Sequence, residues 1–173
     1  MAIEDLKKFI RDIPDFPKPG IIFRDITPLL GNARAFAQVI DQMAEQYLGA
    51  VDIVLGIESR GFIVGAPVAY RLGVGFTIAR KPGKLPYSTI DESYDLEYGS
   101  ASLQMHQDGI ASGARVLIVD DLLATGGTAA AAIKLAEKMG GRVVGCSFII
   151  ELSALGGRDR IAPAPCAALI RYE

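Results

Sequence analysis

Hydrophobic positions near the start of the chain repeat with a helical period. Ile3, Leu6, Phe9, Ile10 and Ile13 fall on one stripe and Pro14 closes it, which predicts a helix over that span. The segment "PDFPKPG" (14–20) breaks any period with three prolines and reads as a connection. Phe36, Val39, Ile40, Met43 and Tyr47 mark a second amphipathic helix, with Asn32 as its cap. From residue 51 the pattern changes. "VDIVLGI" (51–57), "VGFTIAR" (74–80), "RVLIVDD" (115–121), "RVVGCSFIIE" (142–151) and "CAALIRY" (166–172) are apolar runs of strand length. "GFIVGAPVAYRL" (61–72) and the span 127–139 read as helices between them. Residues 81–93 hold two prolines and no apolar period, so they predict a long loop. "YDLEYG" (94–99) and "SASLQM" (100–105) read as two short antiparallel strands.

Strands alternating with helices predict an α/β fold, with a central, mostly parallel sheet flanked by helices. One domain over 1–173 is the natural reading for this length, and a lid over roughly 81–105 is its one irregular part. In open sheets of this kind ligands bind at the carboxyl ends of the strands. Three polar segments fall at such ends: 58–61, 80–84 and 120–128.

Composition excludes more than it proposes. Half the residues are hydrophobic and the formal net charge is −2, which gives no general attraction to nucleic acid or to an anionic membrane. An anionic ligand would need a local cluster of cations. No apolar run reaches membrane-span length, and the acidic, amphipathic start "MAIEDLKKFI" lacks a signal-peptide pattern, so the cytoplasm is the expected compartment. Cys146 and Cys166 form neither a disulfide framework nor a zinc set.

The densest chemistry lies in "VLIVDDLLATGGT" (116–128). Asp120 and Asp121 end an apolar strand, where two adjacent like charges repel and need a purpose. Gly126 and Gly127 permit close backbone approach, Thr125 and Thr128 bring hydroxyls, and an alanine-rich helix follows. A helix start with free N–H groups suits a phosphate, and carboxylates suit sugar hydroxyls. Together they describe a ribose 5-phosphate site. No Lys follows the glycines as in a Walker A loop, and no strand is followed by G-x-G-x-x-G.

This stretch resembles the phosphoribosyl pyrophosphate motif of the type I phosphoribosyltransferases. "FPKPGIIFRDITPLL" (16–30), "ESRGF" (58–62), "RKPGKLP" (80–86) and "YDLEYG" are similar, in that order, to the members of the family that use adenine. The resemblance implies the type I phosphoribosyltransferase fold. It also implies transfer of the 5-phosphoribosyl group to N9 of adenine, giving AMP and pyrophosphate in purine salvage. By resemblance, Asp120 and Asp121 would hold the ribose hydroxyls. Ala124, Thr125, Gly126, Gly127 and Thr128 would wrap the 5′-phosphate. Glu58, Ser59 and Arg60 would form the pyrophosphate loop, with Arg80, Lys81 and Lys84 adding charge from a neighbouring subunit of a homodimer. Adenine would lie between Phe23 and Leu155, its polar edge read by backbone groups of Ile22 and Arg24. Glu97 and Arg60 would be catalytic, Glu97 assisting proton transfer at the purine with Tyr98 beside it on the lid. Mg²⁺ would enter with substrate and water, without direct protein ligands.

Competing accounts stand beside these. Arg60 could be a surface ion pair, the "RKPGK" set a solvated loop, Phe23 plain core, and Glu97 an exposed edge residue. The acceptor could be another base: hypoxanthine, guanine, xanthine or orotate. A regulatory protein of the same fold that binds nucleic acid would need a basic face or an added domain. His106, the single histidine, follows a strand and carries no clear role.

Overall fold

A computed structural model describes residues 3–96 and 99–173. The chain opens with a short helix, α1 (Ile3–Leu6), and a single 3-10 turn at Lys7–Phe9. It then extends as β1 (Arg11–Pro14), which pairs antiparallel with β2 (Ile22–Asp25). The helix expected to run on to Pro14 therefore stops at the turn. Its apolar spacing fits a helix, but pairing with β2 satisfies the same backbone groups across the proline-rich connection. Proline ends an edge strand as readily as it ends a helix. The hairpin is fastened by Asp25. Its carboxylate receives Arg11 Nη2 at 2.7 Å, the Thr27 backbone N–H at 2.9 Å and the Thr27 hydroxyl at 2.8 Å. Those bonds, the Thr27 N–H foremost, hold the Asp25 carboxyl below its ordinary range.

After α2 (Thr27–Leu30) comes α3 (Ala33–Glu45), where the Asn32 side chain accepts from Ala35 N–H at 3.0 Å and caps the helix. The remaining elements are β3 (Ile53–Ile57), α4 (Arg60–Leu72), β4 (Gly75–Ala79), β5 (Thr89–Asp95), β6 (Ser100–His106) and β7 (Arg115–Leu123). They are followed by α5 (Gly127–Lys138), β8 (Arg142–Leu152), α6 (Gly157–Ile161) and β9 (Cys166–Tyr172). Five strands make a wholly parallel sheet in the order β4-β3-β7-β8-β9. Side chains alternate across it. Leu117 and Val119 enter the core beneath α3 and α4, while Val116 and Ile118 enter the core shared with α5. Both faces are covered, so the strands read as unbroken apolar runs. Each such side chain contributes about 1.5–3 kcal/mol on burial.

The strand order reverses between β3 and β7. From β3 the chain crosses through α4 to β4 on one side; from β7 it crosses through α5 to β8 on the other. That junction is the switch point where α/β sheets open a crevice at their carboxyl ends.

The segment read as loop and lid is more ordered than its composition implied. β5 and β6 form a hairpin in full register from Thr89↔His106 to Asp95↔Ser100, so the first strand begins well inside the loop expected at 81–93. The strand read at 94–99 is displaced for the same reason, because the hairpin turns after Asp95. Its base is part of the core: Leu103 and Met105 are buried against α5, and Glu92 pairs with Lys134 and Lys138. A charged residue that reads as loop is here neutralised by an adjacent helix.

Candidate active site

The carboxyl end of β7 meets the start of α4. Asp121 is 4% exposed and its Oδ2 accepts from Arg60 Nε at 2.5 Å. Asp120 turns to the other side of the strand, where its Oδ1 accepts the Asp121 backbone N–H at 2.8 Å. Gly61 makes this junction possible, since a Cβ there would lie 2.9 Å from both Asp120 Oδ1 and the Val119 carbonyl. Burial, and then the charge of Asp121, push the Asp120 carboxyl well above its ordinary range. The strain is electrostatic, of the kind that active sites concentrate.

Past the aspartates the backbone curls into a cup. Arg60 and the run from Asp120 to Ala129 line a cavity of about 200 Å³. Gly126 stands at φ +79°, and a Cβ on it would lie 2.6 Å from the Gly157 carbonyl. No side chain caps α5 at this end, so its first N–H groups face the cup with the positive end of the helix dipole behind them. A second cavity of about 290 Å³ adjoins it, lined by Glu58, Ser59, Arg60, Lys81, Asp120, Asp121 and Thr128. The two share Arg60, both aspartates and Thr128. An anion-sized cup, a pair of carboxylates and a cavity of mixed charge, to which Arg60 and Lys81 bring the cations, thus lie in one row.

Around this second cavity the roles divide. Glu58 accepts both Arg80 Nε and Nη2 at 3.2 Å and the Lys81 N–H at 2.9 Å. Arg80, foremost among these donors, holds the Glu58 carboxyl below its ordinary range. Glu58 therefore anchors the 80–84 loop, a task a carboxylate can do beside an anion site without binding the anion. Lys81 comes from the same chain to line the cavity, and Lys84 adds its field nearby.

The β1–β2 hairpin spans the carboxyl ends of the sheet. The Phe23 ring has the Arg60 guanidinium at 5.2 Å and Phe16 edge-on at 5.3 Å. The Arg24 side chain turns away, stacking 3.9 Å over Tyr172 and pairing with Asp12. Arg24 thus offers only its backbone to the crevice, while Ile22 beside it is 50% exposed. Leu155, 49% exposed, sits on the 3-10 turn that follows β8. That turn is held by buried Glu151, which takes a two-bonded fork from Arg158 at 2.9 and 2.6 Å.

Glu97 and Tyr98 lie outside the described residues. Two residues the sequence reading passed over enter the site's wall. Tyr94 shares a hydrogen bond with the Thr128 hydroxyl at 3.2 Å, and Arg160 donates to the Asp95 carbonyl at 3.3 Å. Tyr94 shares the inward face of β5 with Glu92, a period-two signal hidden by the polar composition. Arg160, on a helix of five residues, gave no local signal.

Carboxylates, a phosphate-sized cup and cations meet at the switch point, and the family model of the phosphoribosyl transferase domain matches residues 29–164. An adenine phosphoribosyltransferase of Acidothermus cellulolyticus is 58% identical over 163 residues, 94% of this chain and 92% of that one. The crystal structure of adenine phosphoribosyltransferase from Thermoanaerobacter pseudethanolicus aligns with a TM-score of 0.96 at 50% identity, over 99% of this chain and 100% of that one. That of the Saccharomyces cerevisiae enzyme, complexed with D-2,5-dideoxy-2,5-imino-altritol 1,6-bisphosphate and adenine, aligns with a TM-score of 0.90 at 38% identity, covering 96% and 97%. This chain belongs to the adenine phosphoribosyltransferase family.

Proposed function

We propose that the chain transfers the 5-phosphoribosyl group of 5-phosphoribosyl 1-pyrophosphate to N9 of adenine, yielding AMP and pyrophosphate in purine salvage. The observation that carries the reading is the meeting of the two cavities at Arg60, Asp120, Asp121 and Thr128. Family membership selects adenine over other bases.

In this reading the 5′-phosphate occupies the cup of Ala124, Thr125, Gly126, Gly127 and Thr128, bound by backbone N–H groups and hydroxyls. Asp120 and Asp121 accept from the ribose hydroxyls, and pyrophosphate lies toward Ser59, Arg60 and Lys81. Phe23 and Leu155 hold the purine ring, with the backbone of Ile22 and Arg24 at its polar edge. The N9–C1′ bond forms as the C1′–O bond to pyrophosphate breaks, and pyrophosphate leaves with the electron pair. Charge builds on the sugar ring, where the aspartates stabilise it. Arg60 neutralises the leaving group with a donor already oriented by Asp121. Glu97 assists proton transfer at the purine, with Tyr98 beside it in sequence.

The donor set fits Mg²⁺ carried by its substrate. Two carboxylates stand at the ribose position, and among the described residues no group of three potential ligands surrounds a point. Such an ion would be held through substrate and water near Asp120 and Asp121, without direct protein ligands, and would supply charge neutralisation. We further place the chain in a cytoplasmic homodimer. Ile63 and Tyr70, the latter 89% exposed, leave an apolar stripe on α4 for a second copy. Among the described residues no helix is long and apolar enough to cross a membrane.

The test is to supply Mg²⁺, 5-phosphoribosyl 1-pyrophosphate and one base at a time, and to follow nucleotide formation. AMP from adenine, with at most slow turnover of hypoxanthine, guanine, xanthine or orotate, is the expected outcome. Faster turnover of another base would overturn the assignment.

A further inference from the structure

Thr128 and Tyr94 form the wall between the phosphate cup and the hairpin. Thr128 lines both site cavities, whereas Tyr94 lines two cavities on the hairpin's side, of about 290 and 460 Å³. The Tyr94 ring lies directly on Gly127, its Cδ2 3.1 Å from where a Cβ would stand, and the Arg160 guanidinium sits 3.3 Å from the same point. Strand pairing fixes Tyr94 opposite Ala101. On either side of it, Asp95 is held by Arg160 and Glu92 by two lysines of α5. The phenol is therefore fixed by its neighbours, and its hydroxyl ends on the Thr128 oxygen at 3.2 Å.

We propose that Tyr94 is a positioning residue for the 5′-phosphate, acting through Thr128 as a two-hydroxyl relay. The inference rests on the reading of Ala124–Thr128 as the phosphate cup. A threonine hydroxyl has one proton and two lone pairs, and its torsion has three staggered wells. The Thr128 and Tyr94 oxygens lie 3.2 Å apart, a bond in which either hydroxyl can be the donor. A phosphate oxygen accepts and cannot donate, so on binding the Thr128 proton turns to the phosphate. A Thr128 lone pair then takes the Tyr94 O–H. No proton changes owner, and each oxygen keeps a partner. Hydrogen bonds in such a chain polarise one another, so the Tyr94 donor strengthens the bond Thr128 makes. Tyr94 touches no ligand; it sets the rotamer and the donor strength of the residue that does.

Tyr94→Phe keeps the ring on Gly127 and removes only the hydroxyl. Calorimetric titration with ribose 5-phosphate is expected to show binding weakened about five- to tenfold, with a matching rise in KM for 5-phosphoribosyl 1-pyrophosphate and none for adenine. Thr128→Val should weaken ribose 5-phosphate at least as much, and the double variant should bind no worse than Thr128→Val alone. Wild-type binding by Tyr94→Phe beside a weakened Thr128→Val would overturn the relay and leave the cup intact. Equal rises in both KM values, or full additivity in the double variant, would also overturn it. Unchanged binding by Thr128→Val would overturn the cup itself, and the relay with it.

Discussion

Arg60 and Asp121 bridge the two halves of the sheet: the guanidinium that opens α4 donates to the carboxylate that ends β7 at 2.5 Å. The pair joins the first turn of α4 to the carboxyl end of β7. Without Arg60 the buried Asp121 carboxylate would be left poorly solvated, whereas the Arg60 side chain is 40% exposed and reaches water. Their union links Phe23, Arg60 and Asp121 in one connected set.

Asp121→Asn keeps the shape and removes the charge. Charge-assisted hydrogen bonds are about twice as strong as neutral ones, so KM for 5-phosphoribosyl 1-pyrophosphate should rise at least about tenfold. KM for adenine should change by less than about twofold, because Asp121 is not among the residues placed at the base. Steady-state kinetics with each substrate varied decide the matter. Equal losses for both would contradict the ribose role.

Asp120 predicts an unusual pH dependence. Its native carboxyl is raised, so the folded chain holds this proton to higher pH than the unfolded chain does. Its contribution to stability is therefore complete below the ordinary value of 3.8 and is lost as pH rises toward the native value. Asp120→Asn removes that loss while retaining an oxygen for the Asp121 N–H. Its melting temperature should match wild type near pH 4 and exceed it by a gap that grows as pH rises and levels off once the native value is passed, with activity lost. Lowered carboxyls such as Glu58 and Glu92 act in the opposite direction, but they are common to both proteins and cancel in the difference. A gap that narrows with pH would refute the assignment.

Gly157→Ala should damage the cup from outside. The added methyl would lie 2.3 Å from the Ala124 carbonyl and 3.0 Å from Leu123 side-chain atoms. Overpacking of this kind costs about 1–3 kcal/mol, which thermal denaturation measures directly. Calorimetry should show AMP binding weakened as well, since the displaced carbonyl belongs to the cup.

Phe23→Leu separates base binding from packing. Leucine keeps much of the apolar volume but loses the flat ring, so adenine KM should rise about three- to tenfold. The Arg60 guanidinium loses its ring neighbour at 5.2 Å, a weak contact at a half-exposed site, so 5-phosphoribosyl 1-pyrophosphate KM should hardly move. A Phe23 that serves only the core would lower the melting temperature and leave both KM values alone.

The sheet was legible because each parallel strand is buried on both faces and announces itself as an apolar run. The stretch from Asp120 to Thr128 was legible because its groups are consecutive and their order mirrors the ligand implied. Ile10–Pro14 was not, since its apolar spacing suits a helix and its partner strand lies across a proline-rich connection. Glu92 and Tyr94 were hidden for a related reason: what makes "TIDESYD" a strand is the lysines and Gly127 of a helix far along the chain. Arg160 belongs to a helix too short to show a period.

The β1–β2 hairpin lies outside the five-stranded sheet and is held to the body by side-chain ties such as Arg24 on Tyr172 and Arg60 near Phe23. The groups proposed to hold the sugar, by contrast, grow out of β7 and α5, at the middle of the core. Such an arrangement is modular. The hairpin can be recut by substitution or transplanted from another chain while the engine beneath it keeps its shape, so redesign toward a new nucleobase has a natural starting point at residues 11–25.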